Sequence, residues 1–119
     1  MISKVIYEGE LRTQATHLQS GKTIYTDAPV DNQGKGNAFS PTDLVATSLA
    51  SCMLTIMGIV ARRDGILLEG AVAEVEKIMV KDPRRIGEIK IKFIFKHTIE
   101  EKDRAVSYTH LTLPTSDLV

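Results

Sequence analysis

The chain is poor in several residue types on which other protein classes depend. Its 119 residues include one cysteine, no tryptophan, three phenylalanines and three tyrosines. A single cysteine excludes an internal disulfide, and so few aromatic rings argue against a stacking platform for single-stranded nucleic acid. The 15 basic residues are balanced by 15 acidic ones, so the positive surplus typical of duplex-binding proteins is missing as well. We therefore expect no nucleic-acid partner.

The sequence also lacks a secretory signal. No charged start followed by an apolar stretch and a small-residue cleavage site is present at residues 1–30. Together with the single cysteine, this pattern predicts a reducing, cytoplasmic location. Hydrophobic residues make up 43% and charged residues 25%, the balance of a soluble globular protein of this length with one core.

Strand signals flank a central apolar segment. Residues 2–7 and 11–18 are rich in extended-chain formers, with Gly9 marking a bulge. The turn signal at residues 19–22 precedes a β-rich run at 23–26, which predicts a hairpin, and the Gly- and Asn-rich residues 27–39 predict a loop. Isoleucines and phenylalanines then alternate with lysines over 89–96, after a turn at 81–85. This alternation predicts a second hairpin with a solvated lysine face.

The central segment carries a strong helix-start signal. Ser40 suits the N-cap position, Pro41 the first helical position, and Asp43 completes a capping box. An uncharged run at 44–61 follows, and two arginines with Gly65 supply the helix stop.

The uncharged run is at the short limit for a membrane span, and hydroxyl residues dilute its hydrophobicity. We therefore favour a buried helix in a soluble protein over a membrane partner, with the membrane span as the alternative. A helix covered on nearly all sides needs more surface than one short chain provides, which predicts a homodimer.

The single cysteine, Cys52, lies about three turns into this helix. The helix dipole acts mainly in the first turn, and burial alone disfavours a thiolate. A reactive Cys52 therefore requires a cation from another segment, for which Arg12 and His17 are the candidates. The helical period places Val45, Ser48 and Thr55 around Cys52 as a mostly apolar pocket suited to an apolar substrate.

Two residues at the helix start, Thr42 and Asp43, do not lie directly on the helix face that carries Cys52. Thr42 lies at the edge of the Cys52 face, and Asp43 points nearly the opposite way. Other chemistries have weaker support: His17, His97 and His110 are scattered, and no H-x-x-x-H or C-x-x-C spacing indicates a metal. We expect neither a metal nor a cofactor.

Residues 26–65, TDAPVDNQGKGNAFSPTDLVATSLASCMLTIMGIVARRDG, resemble the cysteine-helix region of the OsmC/Ohr family of osmotically inducible and organic hydroperoxide resistance proteins. The resemblance consists of a Gly-rich loop, an S/N-P-x-[DE]-L helix start and a cysteine ten residues after the position of Thr42. With the strand order on both sides, it covers about residues 1–104. Residues 105–119 are an atypical tail and suggest a truncated or altered C-terminus.

The resemblance implies an α+β fold in which antiparallel strands pack around a central, buried cysteine-bearing helix, in an intertwined homodimer. The implied activity is thiol-dependent reduction of an organic hydroperoxide by Cys52, with an external dithiol as reductant. Arg12 matches the arginine that keeps the thiolate charged. Thr42 stands where the family's hydroperoxidases place the carboxylate that orients this arginine, and the adjacent Asp43 faces away from Cys52.

Two departures from the family pattern bear on this activity. Family hydroperoxidases commonly carry a Glu where Thr42 stands, and a resolving cysteine near a later C-P-V motif that this chain lacks. The alternative interpretation is therefore a non-catalytic dimeric module that binds an apolar small molecule.

Overall fold

The computed structural model describes residues 1–97, which form five strands and one long helix. The chain divides into two compact units, Met1–Val45 and the part from Ala46 onward. The α+β class expected from the sequence is confirmed. The tail after residue 104 and His110 lie outside the described residues.

The first unit contains a three-stranded antiparallel sheet. Its strands are β1 (Ser3–Gly9), β2 (Arg12–His17) and β3 (Thr23–Asp27), in the order β1-β2-β3. The predicted hairpin across residues 19–22 is confirmed, and the predicted bulge appears as a register shift next to Gly9. A second, unpredicted turn joins β1 to β2 through two residues with positive φ, Glu10 at 53° and Leu11 at 63°.

The loop predicted after β3 contains a short 3-10 helix, Val30–Asn32, and is tied down by its backbone. The Asp27 N–H donates to the Phe39 carbonyl at 3.0 Å, and the Gly36 N–H donates to the Ala28 carbonyl at 3.3 Å. A side chain at Gly34 would overlap that same Ala28 carbonyl group, so only glycine fits there. Lys35 forms an ion pair with Glu10, which gives the lysine of this Gly-rich segment a structural partner.

The helix α1 runs from Pro41 to Asp64, three residues beyond the predicted apolar run. The capping box forms in both directions: the Asp43 N–H donates to Ser40 Oγ and the Ser40 N–H donates to Asp43 Oδ2, each at 3.0 Å. At the other end, Gly65 has a φ of 71°, and the Ile66 N–H donates to the Ala61 carbonyl at 2.8 Å. This bond is the long one of a Schellman motif, which ends the helix.

A single chain covers only one stripe of α1, whereas the sequence favoured cover on nearly all sides. The buried helix residues are Ala46, Ala50, Met57, Val60 and Ala61. On the opposite side Val45 is 54% and Ile59 is 66% exposed. The most apolar 18 residues of α1 have a mean hydropathy of 2.1 and are 28% buried. By length and composition α1 could therefore cross a membrane, although core helices of soluble proteins have the same length and composition.

The second unit contains a long antiparallel hairpin, which confirms the second predicted one. Its strands are β4 (Val72–Val80) and β5 (Arg85–Ile94). Glu74 lies directly opposite Lys92, and Glu76 directly opposite Lys90. Because opposite charges on facing strands stabilise a sheet, the lysine stripe belongs to a solvated, charge-matched face, as the alternation predicted.

Candidate functional site

Cys52 lies in the middle of α1, half-buried and with a free thiol. Its neighbours one turn away on the same side of the helix are Ser48 and Thr55, both exposed. The Thr55 hydroxyl donates its hydrogen to the Ser51 carbonyl at 2.8 Å, so the Thr55 oxygen is left as an acceptor. The thiol is thus reachable from outside the single chain, among small hydroxyl-bearing side chains.

These residues belong to a longer exposed stripe, which we call the thiol stripe: Val45, Ser48, Cys52, Thr55 and Ile59. Their spacing alternates between three and four residues, so they form one seam along the helix, on the side away from the buried residues. The predicted pocket residues Val45, Ser48 and Thr55 therefore share one helix face with Cys52.

Arg12, the candidate cation, forms a bidentate ion pair with Asp27 inside the first unit. Its Nε donates to Asp27 Oδ1 at 2.8 Å, and its Nη2 donates to Asp27 Oδ2 at 2.9 Å. The Asp27 side chain is 1% exposed and that of Arg12 is 35% exposed. The guanidinium carbon also lies 5.3 Å from the centre of the Tyr25 ring, a cation–π contact.

The pair shifts the titration of both partners. Hydrogen bonds from Arg12 lower the pKa of the Asp27 carboxyl, against the opposing effect of burial, and the charge of Arg12 adds to the lowering. Hydrogen bonding to Asp27, followed by its charge, raises the pKa of Arg12. Both groups are therefore charged across the neutral pH range.

The other predicted site residues have local roles. The Thr42 hydroxyl lies 3.2 Å from Ser40 Oγ, and the Asp43 carboxylate accepts from the Ser40 backbone in the capping box. His17 stands at the exposed end of β2, with its Nδ1 2.6 Å from Ser20 Oγ across the hairpin turn. Within residues 1–97 there is no group of three or more His, Cys, Asp or Glu side chains able to hold a metal ion.

The sequence analysis did not predict a role for Asp27, although the hairpin register pointed to one. The predicted turn at residues 19–22 fixes the hairpin register, and that register places Asp27 directly opposite Arg12. An acidic and a basic residue facing each other across two strands predict an ion pair.

A second feature of the same helix is an open, mostly apolar groove of about 650 Å³ in the second unit. Leu54, Ile59, Ile66 and Leu68 supply apolar walls, and Arg62 lies on its lining. Thr55 lines the groove and also belongs to the thiol stripe. The groove could accommodate an apolar molecule close to the helix that carries Cys52.

Comparison with known proteins gives two kinds of match. A family model described as OsmC-like protein matches residues 34–119. A crystal structure of an osmotic stress induced and detoxification response protein from Psychrobacter arcticus is 54% identical with a TM-score of 0.94, over 100% of this chain and 88% of that chain. No curated protein matches.

More distant structures share the fold. An organic hydroperoxide resistance protein OsmC from Legionella pneumophila has a TM-score of 0.69 at 17% identity, over 92% of this chain and 82% of that one. An OsmC-like protein from Vibrio cholerae has the same TM-score at 13% identity, over 96% and 90%.

Proposed function

Because this chain belongs to the OsmC-like family, we propose that it reduces organic hydroperoxides through the thiolate of Cys52. The observation that carries the proposal is the position of Cys52, a half-buried free thiol on an exposed stripe of apolar and hydroxyl side chains. Such surroundings suit a substrate that has an apolar body and a polar peroxide group. The name of the Legionella relative, which shares the fold, supports the same substrate class.

The reaction requires the thiolate as nucleophile. The Cys52 sulfur attacks the terminal oxygen of the hydroperoxide, the O–O bond breaks, and a sulfenic acid forms on the cysteine. The departing alkoxide takes up the proton that the thiol lost and leaves as an alcohol. One S–O bond is made for each O–O bond broken, so the peroxide is reduced by two electrons and the cysteine is oxidised by two.

Arg12 is the cation that we assign to the thiolate, with Thr42 and His17 as polar residues of the site. The guanidinium is held by Asp27 through two of its five N–H donors, which leaves three for an anion. Asp43, in contrast, contributes by fixing the start of the helix that carries the cysteine.

Return of the enzyme to its thiol form needs a partner. The 119 residues contain no second cysteine, so Cys52 cannot close an internal disulfide. An external dithiol supplies the two electrons: it reduces the sulfenic acid to thiol and water and becomes a disulfide. We place this cycle in the cytoplasm, where thiol reductants are present.

The functional unit that we propose is a homodimer, in which a second copy packs against the two apolar ends of the thiol stripe, Val45 and Ile59, on either side of Cys52. The stripe has the three-four spacing of a helix-packing seam, and Val45 and Ile59 are largely exposed on a single chain. Its small residues, Ser48 and Thr55, would permit close approach of the facing helix.

The reaction of Cys52 with one equivalent of cumene hydroperoxide tests the activity. We expect the wild-type thiol to be consumed near pH 7 faster than free cysteine, with one oxygen atom added to the intact protein mass. Cys52→Ser should consume none, whereas Ser51→Ala, at the exposed neighbouring position, should react like wild type. A wild-type rate equal to that of free cysteine would contradict the peroxidase proposal.

A second function, binding of an apolar small molecule without catalysis, is favoured by the 650 Å³ groove and by Thr42 at the helix start. It predicts that Cys52→Ser retains a ligand that native mass spectrometry detects on the purified protein. Loss of peroxide consumption together with retained ligand would favour this function over the first.

A further inference from the structure

The Thr55 hydroxyl is an exposed polar group beside the thiol to which the proposed reaction assigns no task. Thr55 follows Cys52 by three residues on α1, and side chains at this spacing share a helix face with about 5–6 Å between their Cβ atoms. The hydroxyl hydrogen is donated to the Ser51 carbonyl at 2.8 Å. It is therefore not available to the thiolate at the same time, and the Thr55 oxygen presents its lone pairs instead.

The same hydrogen bond fixes where this oxygen lies. Helix side chains lean toward the helix N-terminus, and the bond to Ser51, the residue next to Cys52, holds Thr55 Oγ1 over the turn that carries the thiol. A nucleophile in position to react lies about 3–3.5 Å from the atom it attacks, and an O–H···O hydrogen bond spans about 2.7 Å. Because these two lengths together are about 6 Å, one oxygen atom between the two side chains can contact both.

We propose that Thr55 binds the hydroperoxide directly: its Oγ1 accepts a hydrogen bond from the terminal O–H of the substrate and holds that oxygen in front of the Cys52 sulfur. This inference rests on the proposed function. When the sulfur attacks, an S–O bond forms, and the electron pair of the broken O–O bond leaves with the alkoxide, which takes up the proton that the thiol lost. The hydrogen bonded to Thr55 stays on the attacked oxygen as the S–O–H of the sulfenic acid, so Thr55 itself exchanges no proton.

Acceptance from the substrate and donation to the thiolate make different predictions for the loss of the hydroxyl. If Thr55 donated to the thiolate, removal of the hydroxyl would change the reaction of Cys52 with every electrophile. If Thr55 accepts from the substrate, its removal slows only reagents that have a hydrogen to donate. Methyl methanethiosulfonate has neither an N–H nor an O–H group, so it separates the two roles.

The test measures the rates at which Cys52 reacts with cumene hydroperoxide and with methyl methanethiosulfonate in wild type, Thr55→Val and Thr55→Ser. Valine keeps the branched shape without the hydroxyl, so we expect Thr55→Val to be about three- to tenfold slower with the hydroperoxide, the effect of one lost hydrogen bond, and unchanged with the thiosulfonate. Thr55→Ser keeps the hydroxyl and should react like wild type with both reagents. Thr47→Val, the same substitution on a different side of α1, is the control and should leave both rates unchanged.

Thr55→Ala provides a second variant without the hydroxyl, and it decides the matter if Thr55→Val does not fold, because alanine favours the helix. A wild-type rate of these variants with cumene hydroperoxide, or equal slowing with both reagents, would overturn the role of Thr55. A wild-type protein no faster than free cysteine toward cumene hydroperoxide would instead overturn the proposed function, and the role of Thr55 with it.

Discussion

At the level of single side chains, the proposed reaction depends on how Cys52, far from the helix start, acquires a stabilising charge. Cys52 is about three turns from the N-terminus of α1, beyond the reach of the helix dipole. The cation must come from elsewhere in the sequence, and Arg12 is already engaged by a buried carboxylate.

The Arg12–Asp27 pair predicts a specific acid sensitivity. Hydrogen bonds from Arg12 lower the pKa of Asp27 in the folded protein below its unfolded value of about 3.9. The stabilisation is therefore complete above pH 3.9 and is lost as the pH falls through the lower, folded value. Thermal unfolding followed by circular dichroism should show a falling melting temperature in this acidic range.

Asp27→Asn is the comparison for this measurement. The variant lacks the titrating carboxyl, so its melting temperature should be lower at neutral pH and should decline less between pH 4 and 2. Equal declines in the two proteins would show that other carboxyl groups govern the acid transition.

The candidate site was predictable only in part from the residues. The helical period alone places Val45, Ser48 and Thr55 on the face of Cys52. Asp27 was missed because the sequence assigned residue 27 to the loop at 27–39, whereas the hairpin register places it at the end of β3, opposite Arg12. The roles of Arg12 and Thr42 toward Cys52 stay predictions.

Among the elements, α1 is specified almost completely by local sequence. Ser40, Pro41 and Asp43 set its start, and Gly65 sets its end. The two-residue turn between β1 and β2 was not predicted, because Glu10 and Leu11 adopt positive φ values that are more typical of Gly or Asn. In this turn, the pairing of the flanking strands overrides the local preference.

The loop after β3 provides a test of backbone crowding. In Gly34→Ala the new methyl group would overlap the Ala28 carbonyl, so the loop must shift and the free energy of unfolding should fall by about 1 to 3 kcal/mol. Chemical denaturation measures this change.

Gly58→Ala is the matched control for this substitution. A side chain there meets no atom within 4 Å, and alanine favours the helix, so the free energy of unfolding should rise by up to about 1 kcal/mol. The two glycine-to-alanine substitutions should thus change the free energy of unfolding in opposite directions. A Gly34→Ala variant as stable as wild type would contradict the close approach of Gly34 to the Ala28 carbonyl.

For the whole molecule, the thiol stripe of α1 is an exposed surface with Val45 and Ile59 largely uncovered in a single chain. A continuous exposed seam of this kind marks an interaction surface, and the proposed second copy would cover its apolar ends. The uncharged run of α1 and the short chain predicted that this helix needs a second chain to cover it. Which helix face stays exposed became clear only from the packing of the helix.

A charge on this stripe tests the homodimer. Ile59→Lys places an ammonium group in the proposed interface, at a residue that is 66% exposed in the single chain. We expect the protein to become monomeric in sedimentation-velocity measurements while keeping its helical content. Leu67→Lys, at an apolar residue that is 63% exposed outside the stripe, should remain dimeric. A monomeric wild-type protein would contradict the proposed assembly.

The strand order has a kinetic consequence. Every strand pair among residues 1–97 joins neighbours in sequence: β1 with β2, β2 with β3, and β4 with β5. Closing such short connections costs little chain entropy, and proteins rich in sequence-local contacts fold fast. The first sheet needs only residues 3–27, so its hydrogen bonds can form while the ribosome is still adding the cysteine helix.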